Sequence, residues 1–167
     1  KVVANIPYYI TSPILRHFLE ASLKPRLMVV MVQKEVGEAI VAQPGQMSLL
    51  AISVQFYGEP VIVDYVPAQS FYPPPKVDSV ILKIRLYDQP PVRVPEIGRF
   101  FTVVRAGFSA PRKQLRNSLA QGLDLLPQQS ANLLQRAEID PKRRAETLNL
   151  HEWARICEVI SNHGAIG

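Results

Sequence analysis

The 167-residue chain predicts an α/β fold: the back half of a doubly wound sheet that ends in an antiparallel hairpin, followed by a small all-α domain. Three observations carry this reading. Apolar strand-like runs alternate with helical periodicity as far as Tyr57, eight of the 15 prolines fall between Pro60 and Pro95, and basic charge collects after Pro91. Residues 1–90 hold eight Lys and Arg against seven acidic residues, whereas residues 91–167 hold 11 against seven. Two domains are therefore expected, 1–90 and 91–167. The boundary falls at Gln89-Pro90-Pro91, because Pro-Pro continues neither a ladder nor a helix.

Taken in order, Val2 to Ala4 reads as a strand, and Ser12-Pro13 as an N-cap with proline at the first helical position. Ile14, Leu15, Phe18 and Leu19 then recur on one helical face. Leu27 to Val32 is an unbroken apolar run of strand length, as expected of a parallel strand covered on both faces. A helix is expected over Lys34 to Ala42, and another from Met47 to Tyr57 with Gly58 as its stop. Val61 to Val66 and Val77 to Leu86 are rich in β-branched residues and flank a proline-laden loop, which predicts the hairpin. Beyond Pro91 the periodicity gives helices over Ile97 to Phe108, Arg112 to Gly122, Gln128 to Ala137 and His151 to Asn162. Asn149 and Glu152 form a capping-box pattern ahead of the last of these.

Composition narrows the function. With 47% hydrophobic residues and a formal charge of +5 the chain is globular rather than disordered. The single Cys157 excludes a disulfide scaffold and fits a reducing compartment, so a cytoplasmic location is expected. No apolar run approaches the ~20 residues that span a bilayer. His17, His151 and His163 have no metal-ligand spacing, and no metal site is expected. Neither GxGxG nor GxxxxGK[ST] occurs, so no nucleotide-type cofactor is expected to be held by this chain alone. Lys1 to Asn5 reads as a strand already under way, from which a preceding part of a longer protein is expected.

Three segments can carry chemistry. Asn5-Ile6-Pro7-Tyr8-Tyr9 follows the first strand, where ligands bind in open α/β sheets. An Asn oxygen and a backbone carbonyl beside proline can each accept an amine hydrogen, while an aromatic ring stacks on the base. The same residues also read as a turn with an Asn cap. Phe71-Tyr72-Pro73-Pro74-Pro75-Lys76-Val77-Asp78-Ser79 would present Phe71 on a stiff, extended loop opposite Tyr8, or would simply connect two strands. Arg112, Lys113 and Arg116, beside Asn117 and Ser118, cluster without acidic neighbours near an expected helix N-terminus. That pattern suits phosphate contact or a solvated basic face. Arg143 and Arg144 either extend it or decorate a loop.

Together these segments, with Val32-Gln33-Lys34-Glu35-Val36 and Arg144-Ala145-Glu146-Thr147-Leu148, resemble in order and over nearly the whole chain the ribosomal RNA adenine dimethyltransferase family. The resemblance implies a Rossmann-like methyltransferase sheet, here its carboxyl-terminal half, followed by a helical RNA-binding domain. It implies S-adenosylmethionine-dependent N6-dimethylation of adjacent adenines in small-subunit rRNA within an assembling subunit. By that resemblance Asn5 and Pro7 grip the amine, Asn5 also abuts the methyl donor, and Tyr8 and Phe71 stack on the base. Arg112, Lys113, Arg116, Asn117 and Arg144 face RNA. Ile6 stands where the family usually has Leu, and Ala110-Pro111 replaces a more polar pair, removing one basic contact. The family's donor-binding turn and carboxylates lie upstream of Lys1, so this chain alone is expected to be inactive. Two other readings remain: an erythromycin-resistance type enzyme acting on the large subunit, and a non-catalytic RNA-binding assembly factor. An exposed sheet edge would also permit strand pairing between chains.

Overall fold

The computed structural model describes residues 1–163. The fold is α/β, with a mixed four-strand sheet and seven α-helices among the described residues. It divides into two compact units, Lys1–Ala42 with Leu50–Pro91, and Gln43–Leu49 with the chain from Val92 onward. The short Gln43–Leu49 segment, which the sequence reading left in the first part, thus belongs to the second.

In the first unit the order is β1 (Val2–Asn5), α1 (Thr11–Glu20), β2 (Leu27–Gln33), α2 (Lys34–Ile40), α3 (Leu49–Tyr57), β3 (Gly58–Val66) and β4 (Ser79–Leu86). The strands lie in the order β1-β2-β4-β3. β2 runs parallel to β1 and antiparallel to β4, and β3 pairs antiparallel with β4. One face is sealed by Met28, Val30 and Val32 of β2 with Val80, Leu82 and Ile84 of β4, together with Ile6, Leu15, Leu19, Ile52 and Phe56. β2 is not covered on both faces, as its apolar run suggested. Met28, Val30 and Val32 are buried, while Leu27, Val29 and Met31 are only half-buried. An unbroken apolar run states that both faces are apolar, not that both are covered.

Local chemistry explains the other boundaries. α1 starts at Thr11 rather than behind a Ser12 cap, because a 3-10 turn over Tyr8–Ile10 feeds straight into it. The buried Thr11 hydroxyl donates back to the Tyr8 carbonyl at 3.3 Å. Pro13 sits inside the first turn, where its missing N–H has no intrahelical partner to lose. α2 ends at Ile40 instead of Ala42, and the Gln55 amide donates to both the Ile40 and Ala42 carbonyls at 2.9 Å. Gly58 starts β3 directly after α3, since a Cβ there would stand 2.7 Å from the Arg85 carbonyl oxygen.

The second unit carries α4 (Ile97–Gly107), α5 (Leu115–Gly122), α6 (Pro127–Arg136) and α7 (Leu150–Asn162). Its core includes Phe100, Val103, Val104, Leu115, Leu134, Leu148, Trp153, Ile156 and Cys157. Burial pushes the Cys157 thiol above its ordinary range. α7 opens with the expected capping box: the Asn149 side chain accepts from the Glu152 amide, and the Glu152 carboxylate accepts from the Asn149 amide, each at 2.9 Å. α5 departs most from expectation. It begins at Leu115, so Arg112 and Lys113 lie in the preceding turn, and Gln114 caps the helix without a side-chain bond.

Candidate functional site

Because β4 runs against β1 and β2, the carboxyl ends of the parallel pair meet the start of β4 at one edge of the first unit. Asn5 pairs with Met31, Gln33 with Ser79, and Ser79 in turn with Val66. The chain leaves β1 through Ile6, which is fully buried and donates its amide to the Met31 carbonyl at 3.3 Å. That anchor fixes the turn and leaves Asn5 and Pro7 exposed at the edge. The Pro7 carbonyl is occupied by the Ile10 amide at 3.1 Å.

The decisive contact joins two segments 71 residues apart. The Tyr8 hydroxyl and the buried Ser79 hydroxyl share a hydrogen bond of 2.7 Å. It ties the aromatic ring after Pro7 to the base of the proline loop. The adjacent Asp78 tightens that base: its carboxylate accepts from the Ala68 amide at 2.9 Å and its carbonyl from the Lys34 amide at 3.0 Å. Phe71 leaves a 3-10 turn over Ala68–Ser70 in an extended conformation and is half-buried. The segment bends at residues 71–73 instead of running straight, so the expected extended geometry does not hold along its whole length. The bonds to Asp78 tie down the base of the loop. Ser79 and Asp78 stand in a quoted motif, but only a long-range contact gives them a structural task.

Glu35 is exposed, and Glu38 accepts from the Tyr65 hydroxyl at 3.4 Å on an exposed surface. They form a solvated face. Among the described residues no group of His, Cys, Asp and Glu is placed to hold a metal ion, and no helix is long and apolar enough to cross a membrane.

In the second unit the structure gathers the basic candidates through backbone bonds. The carbonyls of Arg143 and Pro141 accept the first two amides of α5, those of Leu115 and Arg116, at 2.7 and 3.2 Å. The anion-attracting helix end expected from sequence is thereby filled by the chain's own carbonyls. The same bonds bring the loop carrying Arg144 beside the turn carrying Arg112 and Lys113. Arg112, Lys113 and Arg144 are exposed, while Arg116 and Asn117 are half-buried. The Arg116 Nε is buried without a hydrogen-bond partner among the described residues. Arg143 is structural: its guanidinium is bidentate to Glu152 and also donates to the Thr147 hydroxyl and carbonyl. Burial works against ionisation of Glu152. The hydrogen bonds from Arg143 and the Asn149 amide, with the charges of Arg143 and Arg155, outweigh it and hold the carboxyl below its ordinary value.

Residues 1–162 match the family model described as ribosomal RNA adenine dimethylase. The chain is similar to ribosomal RNA small subunit methyltransferase A of Dehalococcoides mccartyi, with 53% identity over 98% of the chain, and of Desulfitobacterium hafniense, with 46% identity over 95%. It spans 56% and 58% of the length of those two relatives. Among solved structures it resembles a dimethyladenosine transferase from Plasmodium falciparum, with TM-score 0.83, 24% identity, and coverage of 98% of this chain and 68% of that one. It also resembles the 23S rRNA methyltransferase ErmE, with TM-score 0.67, 24% identity, and coverage of 95% and 64%.

Proposed function

Because the chain belongs to the ribosomal RNA adenine dimethylase family, we propose that it is the carboxyl-terminal part of an S-adenosylmethionine-dependent enzyme that dimethylates N6 of adjacent adenines in small-subunit rRNA during ribosome maturation. The first unit forms the back half of its catalytic sheet, and the second unit, with the Gln43–Leu49 segment, its RNA-binding part. The reading rests above all on the Tyr8–Ser79 hydrogen bond, which ties the Asn5-Ile6-Pro7-Tyr8 edge to the loop bearing Phe71. The proposal includes a cytoplasmic location.

Each residue has a task in this proposal. The Asn5 side-chain oxygen accepts one hydrogen of the adenine amine. With the Pro7 carbonyl engaged by Ile10, the Ile6 carbonyl is the backbone acceptor for the other. Holding both hydrogens turns the nitrogen lone pair out of ring conjugation. Tyr8, oriented by Ser79, and Phe71 stack on the two faces of the flipped base. Arg112, Lys113 and Arg144 contact phosphates, with Arg116 and Asn117 bordering them.

When bound, the methyl donor supplies an electrophilic methyl group. In this proposal Asn5 meets it, but the chain contains no Gly-rich turn, so the residues present do not make up a donor pocket. We therefore propose that the isolated chain neither binds the donor tightly nor methylates RNA; micromolar donor binding in calorimetry would overturn this. For the complete enzyme the test is Asn5→Ala. Methylation of small-subunit rRNA should fall by at least a hundredfold while RNA affinity stays within twofold, in line with the roughly 10²–10³ lost with one essential polar contact. Unchanged methylation would reject the catalytic assignment, and modification confined to large-subunit rRNA would reject the substrate.

A further inference from the structure

The second unit holds a cavity of about 310 Å³ lined by Met47, Ser48, Leu49, Phe108, Pro111 and Glu146. Glu146 stands in a motif of the sequence, but the cavity itself was not legible there, since its walls come from three separate stretches. The Glu146 carbonyl builds it, accepting the Gly45 amide at 2.8 Å and the Met47 amide at 3.1 Å, which pins residues 45–47 against the loop after Arg144. Phe108 forms a firm aromatic wall, with its ring centroid 5.7 Å from that of the fully buried Trp153. The volume lies at the small end of the roughly 300–1,000 Å³ range of ligand pockets.

Charge is arranged around this apolar slot in a particular way. Glu146 is one of its lining residues, with its side chain 40% exposed, and the Arg144 guanidinium stands 3.9 Å from that carboxylate. Pro111, on another wall, is followed directly by the exposed Arg112 and Lys113. An aromatic wall, one acceptor-only carboxylate and flanking cations match a single unstacked nucleotide: base on Phe108, phosphates on Arg112 and Arg144.

The carboxylate selects among the bases. Guanine alone presents two adjacent donors, N1–H and N2–H, to a two-oxygen acceptor. Adenine and cytosine set a ring-nitrogen acceptor beside their amine, and uracil flanks its one N–H with carbonyls. We propose that this cavity is a specificity subsite for one unpaired guanine of a single-stranded RNA segment, separate from the edge at Asn5. The inference rests on the RNA-binding reading of the Arg112 surface.

The test measures binding of the full chain to a short oligouridylate with one central guanosine, the plain oligouridylate, and the same oligomer with inosine, which lacks the N2 amine. The guanosine oligomer should bind roughly tenfold more tightly than either of the others, the discrimination expected of one bidentate pair. Glu146→Gln keeps the backbone acceptor for Gly45 and Met47, and should abolish that preference while leaving oligouridylate affinity within twofold. Equal binding of all three oligomers by the unaltered chain, lost in Arg112→Ala/Lys113→Ala, would overturn the guanine subsite and leave RNA binding standing. A guanosine preference that persists in Glu146→Gln would also overturn it. Absence of binding to every oligomer would reject the RNA-binding reading itself.

Discussion

At the residue scale, neighbouring arginines take opposite tasks. Arg143 is half-buried and clamped on Glu152 and Thr147, whereas the Arg144 side chain is 54% exposed. The Arg143–Glu152 pair makes a specific statement about pH. Glu152 has its carboxyl depressed below the ordinary 4.5 in the folded protein. Its contribution is therefore complete above that ordinary value and is lost as pH falls through the lower native value. Urea midpoints of the chain measured from pH 7 down to about 3 should fall more steeply than those of Glu152→Gln. Parallel curves would remove the pair from the acid response. The resemblance put Arg144 alone among the RNA-facing residues, but the clamp made by Arg143 was not legible, because it depends on Glu152 nine residues away and on Thr147. Asn5 and Tyr8 could be named as candidates for the contrasting reason that they stand together in one short motif.

At the element scale, the helices of the second unit pack through glycines. A Cβ on Gly107 of α4 would run into the Trp153 ring of α7, and one on Gly122 of α5 would collide with the Ala106 backbone of α4. The Trp153 ring is a side chain and the Ala106 Cα is backbone, so the fully buried ring yields at less cost than the helix axis. Gly107→Ala should thus cost about 1–3 kcal/mol, with Gly122→Ala at or above the top of that range. Thermal or urea unfolding checks the order, and equal losses would mean that α4 and α5 slide apart freely. The helix count and the α7 cap could be read from periodicity and from Asn149-x-x-Glu152. The start of α5 could not, since Arg143 and Pro141 supply its first acceptors from 28 and 25 residues downstream of Leu115 and Arg116.

At the scale of the whole molecule, the first unit has one sealed face and one open one. Val3, Val29, Lys83 and Val61 lie in one cross-strand row on the open face, with Val3 82% and Val61 43% exposed. β1 is an edge strand, and an apolar edge beside an apolar face is prone to associate. The chain by itself should therefore self-associate with rising concentration in sedimentation velocity. Val3→Lys should shift it toward monomer, and a monomer at every concentration would remove the open face as an adhesive surface. The α/β class, the order of elements and the motifs at Asn5 and Phe71 could be read along the chain, because periodicity and turn chemistry are local. Only the tertiary structure decided that Tyr8 is locked to Ser79, that the N-terminus of α5 is closed by carbonyls, and that Phe108 and Glu146 share a cavity. Each of these depends on residues brought together from far along the chain, where no local pattern records the pairing.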